Sequence, residues 1–316
     1  MHEASQDTRA YLGRRLRRLT PYAFLTPSVV VIAALLIYPI YRMVVMSTQQ
    51  VGLRQVRGAP AESVGTANYQ KIFDNEVFWS SLRNTLIFAA LAVTATLVVG
   101  TLVGLLIHKL GKIMSGLVIT AAMLAWATPR VNVAVLWKWL FDDQGGVANW
   151  LLGLLPDWLP WRDDWTGHTW FLDRTSIYFV LLLCVVWSSF PFIAVSVLAG
   201  LKSIPGELHE AARVDGAGPW RTFWSITYPL LRPVFAVLIV LSIIWDFKIF
   251  DQLFILGGGT GMSQDAYNMS LYAYSQAFAS PPDMGMGSAI AVVLTAILFV
   301  LTLVYIRQIA RQEELR

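Results

Sequence analysis

The chain has 316 residues and a net charge of +4, and 56% of its residues are hydrophobic while only 14% are charged. Soluble domains usually carry about a quarter charged residues, so this chain has too few charges to cover a surface that faces water. The composition argues against an ordinary cytosolic enzyme and against a disordered tail, and it favours one membrane domain.

Apolar runs follow one another along the chain, each long enough to cross a bilayer core about 30 Å thick as a helix. The six runs cover residues 22–46, 84–108, 113–140, 176–200, 233–256 and 288–306. The first run follows a cluster of arginines, as in a signal peptide, but it is too long and contains Pro27 and Pro39, which predicts a retained signal anchor. The sequence therefore predicts an all-α membrane protein with six transmembrane helices.

The distribution of Lys and Arg predicts the orientation of these helices, because cytoplasmic loops carry an excess of both residues. With a cytoplasmic N-terminus, the inner segments are 1–21, 109–112, 201–232 and 307–316, and they hold 14 of the 24 Lys and Arg residues, against 7 in the outer segments. Both termini are therefore predicted to be cytoplasmic. The chain divides into an N-terminal tail (1–21), a transmembrane domain (22–306) and a C-terminal tail (307–316).

The outer segment 141–175 is rich in tryptophan and contains two acidic pairs. The tryptophans are Trp150, Trp158, Trp161, Trp165 and Trp170, and the acidic pairs are Asp142-Asp143 and Asp163-Asp164. Tryptophan clusters are typical of the membrane–water interface, so we predict an interfacial belt and a small hydrophobic cap. The acidic pairs are interpreted as solvated loop residues, with a calcium site as the less favoured alternative.

The cytoplasmic segment 201–232 has the pattern of two short helices joined at a turn. Pro205-Gly206-Glu207 is typical of a helix start, and Gly216 can end that helix in a left-handed conformation. The small apolar face of this helix consists of Leu208, Ala211 and Ala212. We predict a compact knob that fits a groove of a soluble partner. The alternative is a hairpin lying on the lipid, which usually carries bulky apolar residues and many Lys and Arg.

The same segment carries a resemblance to a known family. Glu210-Ala211-Ala212-Arg213-Val214-Asp215-Gly216-Ala217, followed by Phe223, Ile226 and Pro229, resembles the EAA loop of bacterial ABC importer permeases. Tyr228 departs from the pattern, since leucine is usual there. The resemblance extends over nearly the whole chain, which is similar to the maltose-permease type of carbohydrate importer subunit. It is carried by Asn68-Tyr69, Phe78-Trp79, Asn84-Thr85, Gly200-Leu201, Ile204-Pro205, Phe250-Asp251, Gly257-Gly258, Tyr272, Ala277-Phe278 and Gly287-Ser288-Ala289.

This resemblance implies a type I ABC importer permease fold, placed as a multi-pass protein in the bacterial inner membrane. The coupling residues that it implies, on a helix that docks into an ATPase, are Glu207, Glu210, Ala211, Ala212, Asp215 and Gly216. The implied partners are a second permease subunit in a heterodimer, two ATPase subunits, an extracytoplasmic sugar-binding protein and the lipid bilayer, with no nucleic acid. The implied function is half of the translocation pathway for a sugar, as a di- or oligosaccharide. The alternatives are glycerol-3-phosphate or another polyol derivative as the solute and, more remotely, a membrane-embedded enzyme or channel.

No catalytic site, metal site or cofactor is predicted in this chain. An ATPase needs a G-x-x-x-x-G-K-[ST] loop, and the Gly-Lys pair at Gly111-Lys112 is followed by Ile113. The histidines are spread over different segments, without metal-ligand spacing. The glycine-rich outer segment 257–261 is interpreted as a flexible loop, and its start departs from the family's usual Thr-Gly-Gly-Pro. ATP and Mg are therefore expected to bind to the partner ATPase.

Charged residues inside the predicted spans are candidates for the substrate pathway, since a charge at the bilayer centre costs roughly 2.5–3.5 kcal/mol and usually faces a cavity or a partner. The candidates are Arg130, Asn132, Trp187, Asp246, Lys248, Asp251 and Gln252, and the aromatic residues that could face a sugar ring are Tyr41, Trp126, Trp187, Phe190 and Trp245. Lys248 and Asp251 have i, i+3 spacing and could pair. The alternative is that the charges hold two subunits together, or reach the membrane surface, and that the aromatic rings pack in the core.

Overall fold

The computed structural model describes residues 22, 24–156, 165 and 167–314, and these residues are mostly helical. The elements are α1 (Phe24–Ser47), β1 (Gln49–Gln50), α2 (Leu53–Val56), β2 (Glu62–Ser63), α3 (Ala67–Phe73), α4 (Glu76–Lys109), α5 (Lys112–Ala127), α6 (Arg130–Leu140), α7 (Val147–Gly153), α8 (Arg174–Ser203), α9 (Gly206–Val214), α10 (Pro219–Thr222), α11 (Tyr228–Phe247), α12 (Asp251–Leu256), α13 (Met269–Phe278) and α14 (Met284–Glu314). A π-helical turn, Phe223–Thr227, joins α10 to α11. The two short strands pair antiparallel.

Five stretches of helix are long and apolar enough to cross a membrane. They are α1, α4, α8, the segment Pro219–Leu256 and the part Met284–Gln308 of α14. A sixth candidate is the pair α5 and α6, which is long and apolar enough only when the two helices are taken together. The two helices are bent by 96° relative to each other. The described residues therefore contain five candidate spans, or six if the bent pair crosses as one.

The predicted third span is not one helix, and proline explains the break. Thr128 has ψ 129°, as expected for a residue whose helical conformation clashes with the following proline ring. Pro129 also has an extended ψ of 133°, and α6 begins at Arg130. The predicted fifth span is interrupted as well, because α11 ends at Phe247 and α12 begins at Asp251.

The centre of the fold is the packing of α4 along α8. Two glycines of α4 allow this close approach, since a Cβ atom on Gly100 would lie 2.5 Å from Cβ of Ile193, and one on Gly104 would lie 2.8 Å from the carbonyl oxygen of Ala194. Small residues four apart permit such contacts between membrane helices. The spacing of Gly100 and Gly104 on one face of α4 therefore lets the two helices pack closely.

Side-chain amides hold two of the connections between helices in place. The Asn84 amide donates hydrogen bonds to the carbonyl oxygens of Asp265 (2.7 Å) and Tyr267 (2.9 Å). The Asn68 amide donates to the carbonyl oxygens of Ser47 and Gln49, at 3.0 Å each. Both asparagines are buried, so these bonds satisfy polar groups that would otherwise be costly to bury.

The segment 141–175 contains an aromatic cluster, and part of it was predicted. Trp170 is buried, stacks on Trp165 at 5.4 Å between ring centroids, and donates its indole N–H to Oδ1 of Asn149 at 2.7 Å. Trp150 is 64% exposed and points away from this cluster. Four predicted features lie outside the described residues: Trp158, Trp161, the pair Asp163-Asp164 and the tail 1–21.

The first helix contributes little to the packing within the chain. No residue in the most apolar stretch of α1 is buried, whereas half of the corresponding stretch of α8 is buried. The contacts of α1 are made by its C-terminal part, which packs against α14.

Candidate functional site

The helix α9 ends at Gly216 as the sequence predicts. Gly216 has φ +73°, and its N–H donates to the carbonyl oxygen of Arg213 at 3.1 Å, while the N–H of Ala217 donates to that of Ala212 at 2.9 Å. This pair of bonds is the Schellman motif, which satisfies carbonyl groups that the helix itself leaves free. The chain therefore turns sharply at Gly216 and presents α9 as a separate short helix.

The two alanines of α9 face opposite environments. Ala211 is exposed together with the three acidic residues Glu207, Glu210 and Asp215, but Ala212 is only 6% exposed. Ala212 lies one helical turn from His209, whose Nε2 atom is 3.3 Å from Oγ1 of the buried Thr227. Ala212 was predicted as part of a small apolar face that docks on a partner, but it is not available on the surface of this chain, because its side of α9 faces the turn that leads into the next helix.

The exposed side of the segment combines acidic and bulky apolar groups. Val214 is 88% exposed, Trp220 76% and Trp224 48%. These larger side chains were not part of the predicted small apolar face. Insertion of α9 into lipid is still disfavoured, because interfacial helices carry many Lys and Arg on their polar face, whereas α9 exposes two carboxylates, Glu207 and Glu210, with the single cation Arg213.

A second feature is a cavity of about 130 Å³ at the bend between α5 and α6. Its lining residues are Trp126, Thr128, Arg130, Ser188, Ser189 and Trp245. Trp126 lies near the end of α5, Arg130 is the first residue of α6, the serines lie in the middle of α8, and Trp245 lies near the end of α11. The break in the helix thus opens the space, and side chains from two other helices, α8 and α11, complete its lining.

The aromatic rings around the cavity form a connected group. Trp126 stacks on Phe192 with 5.7 Å between ring centroids, and Phe192 meets Trp245 edge to face at 5.4 Å. Trp126 and Trp245 were predicted for this role, but Phe192 was missed. The sequence does contain a signal for Phe192: it lies four residues after Ser188, and this spacing places both residues on one face of α8.

The other predicted aromatic residues do not line the cavity. Trp187 and Phe190 are half-buried on α8, outside the lining, and Tyr41 is 60% exposed on α1. Trp187 is therefore not a lining residue of this cavity. The two tryptophans that do line it, Trp126 and Trp245, lie near the ends of α5 and α11, where each helix is interrupted.

The predicted charged residues separate into two groups. Arg130 lines the cavity, and Asp246 is buried at the end of α11, directly after the lining residue Trp245. Lys248 and Asp251 are exposed on either side of the break after α11, so they share no helix and the expected i, i+3 arrangement does not exist.

The two polar candidates also lie outside the cavity lining. Asn132 is exposed on α6. Gln252 is 2% exposed, and its Nε2 atom donates to Sγ of Cys184 at 3.8 Å, which places it in the packed interior. The cavity itself offers a guanidinium, hydroxyl groups and the faces of indole rings, a combination that suits a hydroxylated ring with apolar C–H faces.

Within the described ranges, no group of three or more His, Cys, Asp or Glu side chains is arranged to hold a metal ion. The acidic pair Asp142-Asp143 is exposed. Oδ1 of Asp142 accepts hydrogen bonds from the N–H groups of Gln144 and Gly145 at 3.1 and 3.0 Å, as in a solvated turn.

Comparisons with known proteins place this chain among transport proteins. Residues 97–313 match the family model described as "Binding-protein-dependent transport system inner membrane component". The chain is 38% identical to the diacetylchitobiose uptake system permease protein DasB of Streptomyces coelicolor, over 97% of this chain and 92% of that protein.

Two further relatives are similar over almost the same length. The sulfoquinovosyl glycerol transport system permease protein SmoG of Agrobacterium fabrum is 32% identical, over 94% of this chain and 92% of that protein. The trehalose/maltose transport system permease protein MalF of Thermococcus litoralis is 30% identical, over 90% and 92%. In fold, the chain is similar to a chain of a bacterial ABC transporter involved in alginate import, with a TM-score of 0.78 and 22% identity. The match covers 95% of this chain and 98% of that chain.

Proposed function

The chain belongs to the family of binding-protein-dependent transport system inner membrane components, and on that premise we propose that it forms half of the translocation pathway of an ATP-driven sugar importer. The observation that carries the proposal is the similarity over nearly the whole chain to permease proteins named for diacetylchitobiose, sulfoquinovosyl glycerol and trehalose/maltose. The substrate class is therefore a di- or oligosaccharide or a related glycoside. The protein is a transport subunit, which leaves no support for a membrane-embedded enzyme or a channel.

The cavity at the bend of α5 and α6 supports this substrate class. Trp126 and Trp245 offer apolar ring faces, and Arg130 with Ser188 and Ser189 offers hydrogen-bond donors and acceptors. Sugars present hydroxyl groups around a ring and C–H groups on its faces, so both kinds of lining residue find a partner. The phosphate of glycerol-3-phosphate would need more than the single cation that the lining provides, and this alternative is not favoured.

The topology that we propose has six spans, with α5 and α6 together as the third, and both termini in the cytoplasm. The charge asymmetry supports it, because the segments on the N-terminal side hold twice as many Lys and Arg as those on the other side. Cysteine-accessibility labelling at exposed positions tests it. A cysteine introduced by Arg54→Cys in the first outer segment and one introduced by Arg221→Cys after α9 should be labelled from opposite sides of the membrane.

The exposed side of α9 is the surface that we propose for ATPase coupling. Glu210 and its acidic neighbours can accept charge-assisted hydrogen bonds from a partner, and Ala211 leaves room for close approach. The assembly then contains a second permease subunit, two ATPase subunits that bind ATP and Mg, and an outer sugar-binding protein.

The experiment is reconstitution of the complete set of subunits in proteoliposomes, with the binding protein outside. Uptake of labelled diacetylchitobiose, trehalose, maltose and glycerol-3-phosphate is then measured with and without ATP. ATP-dependent uptake of at least one saccharide supports the proposal. Uptake of glycerol-3-phosphate alone would overturn it.

A further inference from the structure

Lys138 joins the two broken helices of the fold. Its Nζ atom donates a hydrogen bond of 2.9 Å to the carbonyl oxygen of Ile255, across 117 positions in the sequence. Lys138 lies near the end of α6, and Ile255 lies near the end of α12. The lysine is half-buried, so this bond is less exposed to competition from water than a surface contact.

The acceptor belongs to a helix end with a defined shape. Gly258 and Gly259 have φ of +72° and +94°, and the N–H of Gly259 donates to the carbonyl oxygen of Phe254 at 2.7 Å. The expected flexible loop is therefore an ordered helix cap. The Ile255 carbonyl accepts a longer bond of 3.3 Å from the N–H of Gly258, and Lys138 adds a cation at the negative end of the helix.

The other end of α12 is also fixed from outside. The side-chain amide of Asn268, which is 1% exposed, donates at 2.6 Å to the carbonyl oxygen of Ile249, in the non-helical link that precedes α12. Asn268 thus holds the link where it leaves α11, and Lys138 holds the far end of α12 against α6. The orientation of α12 depends on both contacts.

We infer that Lys138 is a positioning residue for the cavity, an inference that rests on the proposed function. Arg130 lies eight residues earlier on α6, about 12 Å along the helix axis. A helix fixed at Lys138 therefore sets where Arg130 stands relative to Trp245 and Asp246, which belong to the helix leading into α12. Lys138 is not one of the residues that line the cavity. It keeps α6 and the α11–α12 segment in one arrangement, so that the polar and aromatic groups face the same space.

The test compares Lys138→Met with Lys138→Arg in the reconstituted complex. Methionine keeps most of the volume but removes the donor, so the apparent KM for the transported sugar should rise about tenfold, the size expected for loss of a charge-assisted hydrogen bond. Arginine keeps the cation and should restore most of the affinity. Lys71→Met is the matched control, because Lys71 is exposed on α3, and its KM should equal that of the wild type.

The yield of assembled complex separates positioning from simple stability. We expect Lys138→Met to assemble as well as the wild type. An unchanged KM in a complex of normal yield would overturn the inference, and so would a fall in yield with no change of KM in the complex that remains.

A second measurement does not depend on sugar import. Cys184 is the only cysteine and is buried, so a Cys184→Ala background accepts spin labels at Leu136→Cys on α6 and Ser263→Cys beyond α12. Lys138→Met should clearly broaden the distance distribution between the labels, and Lys138→Arg should not. If the wild-type complex imports no sugar, the proposed function fails while this measurement still decides the positioning role; an equal width in all three proteins would contradict it.

Discussion

At the scale of single residues, the loop after α8 shows which details a sequence reveals. The conformation of Gly216 could be predicted, because helix termination by a left-handed glycine is a local signal. The burial of Ala212 could not be predicted, since it depends on the direction of the next helix after the turn, and no local pattern in the sequence determines that direction. Ala211 and Ala212 look alike in the sequence, and only the packing between α9 and the π-helical turn separates them.

This difference changes the mutation that best tests coupling. Ala211→Trp adds a large side chain on the exposed side of α9, so the protein should fold, insert and assemble with its second permease while losing the ATPase. Ala212→Trp should instead disturb the loop, because overpacking a buried position typically costs about 1–3 kcal/mol. Pull-down of the ATPase and sugar-stimulated hydrolysis measure the result, with Ala211→Ser as the control. Normal ATPase retention and stimulation in Ala211→Trp would show that this face does not dock.

The cavity offers a second test at this scale. Arg130→Gln removes the cationic donor while leaving the indole rings, and the apparent KM for sugar should rise about tenfold. Arg83→Gln, at an exposed position on α4, should leave the KM unchanged. Equal affinities in Arg130→Gln and the wild type, measured by uptake at several sugar concentrations, would remove Arg130 from the pathway.

At the scale of elements, the long helices could be predicted from hydropathy, but their breaks could be predicted only in part. The break before α6 has a visible cause in Pro129, which the prediction of a single span did not use. The break after α11 has no proline or glycine, and its link is held by the distant Asn268. A tertiary hydrogen bond of this kind leaves no local pattern, so neither the interruption nor the separation of Lys248 from Asp251 could be read from spacing.

Pro129→Ala tests whether the bend matters for transport. The substitution restores a backbone N–H and removes the ring that prevents a helical Thr128, an obstacle of about 3 kcal/mol in a helix interior. We expect a shift toward a straighter α5–α6 pair and a loss of uptake in a complex of normal yield. Spin-label distances between α5 and α6 report the bend, and Pro60→Ala in an exposed outer segment is the control. Wild-type uptake despite a straightened pair would contradict a role for the bend.

At the scale of the whole molecule, composition and hydropathy were sufficient to predict a mostly helical membrane protein, because lipid imposes its constraints on long stretches of chain rather than on single contacts. The location of the cavity was beyond reach, since it depends on four helical segments that meet only in the folded protein. Arg130 and Trp245 illustrate this: both line the cavity, yet they are 115 residues apart in the sequence and no periodicity relates them.

The isolated protein should neither hydrolyse ATP nor import sugar. The reason is the lack of a phosphate-binding loop in the sequence, together with the unpacked apolar length of α1, which leaves a large surface for another subunit or lipid. Liposomes that contain this chain alone are compared with liposomes that contain the complete set. Clear ATPase activity or uptake by the single chain would contradict the assignment of the energy source to a partner.

The bend between α5 and α6 has a consequence for hydration. The first N–H groups of α6 have no acceptor within their own helix, and hydrocarbon offers none. α6 has 11 residues, about 16 Å of helix, which is about half the thickness of a bilayer core. In the proposed third span these N–H groups therefore need acceptors in the space beside Arg130, and the oxygen atoms of water or of a bound sugar are such acceptors.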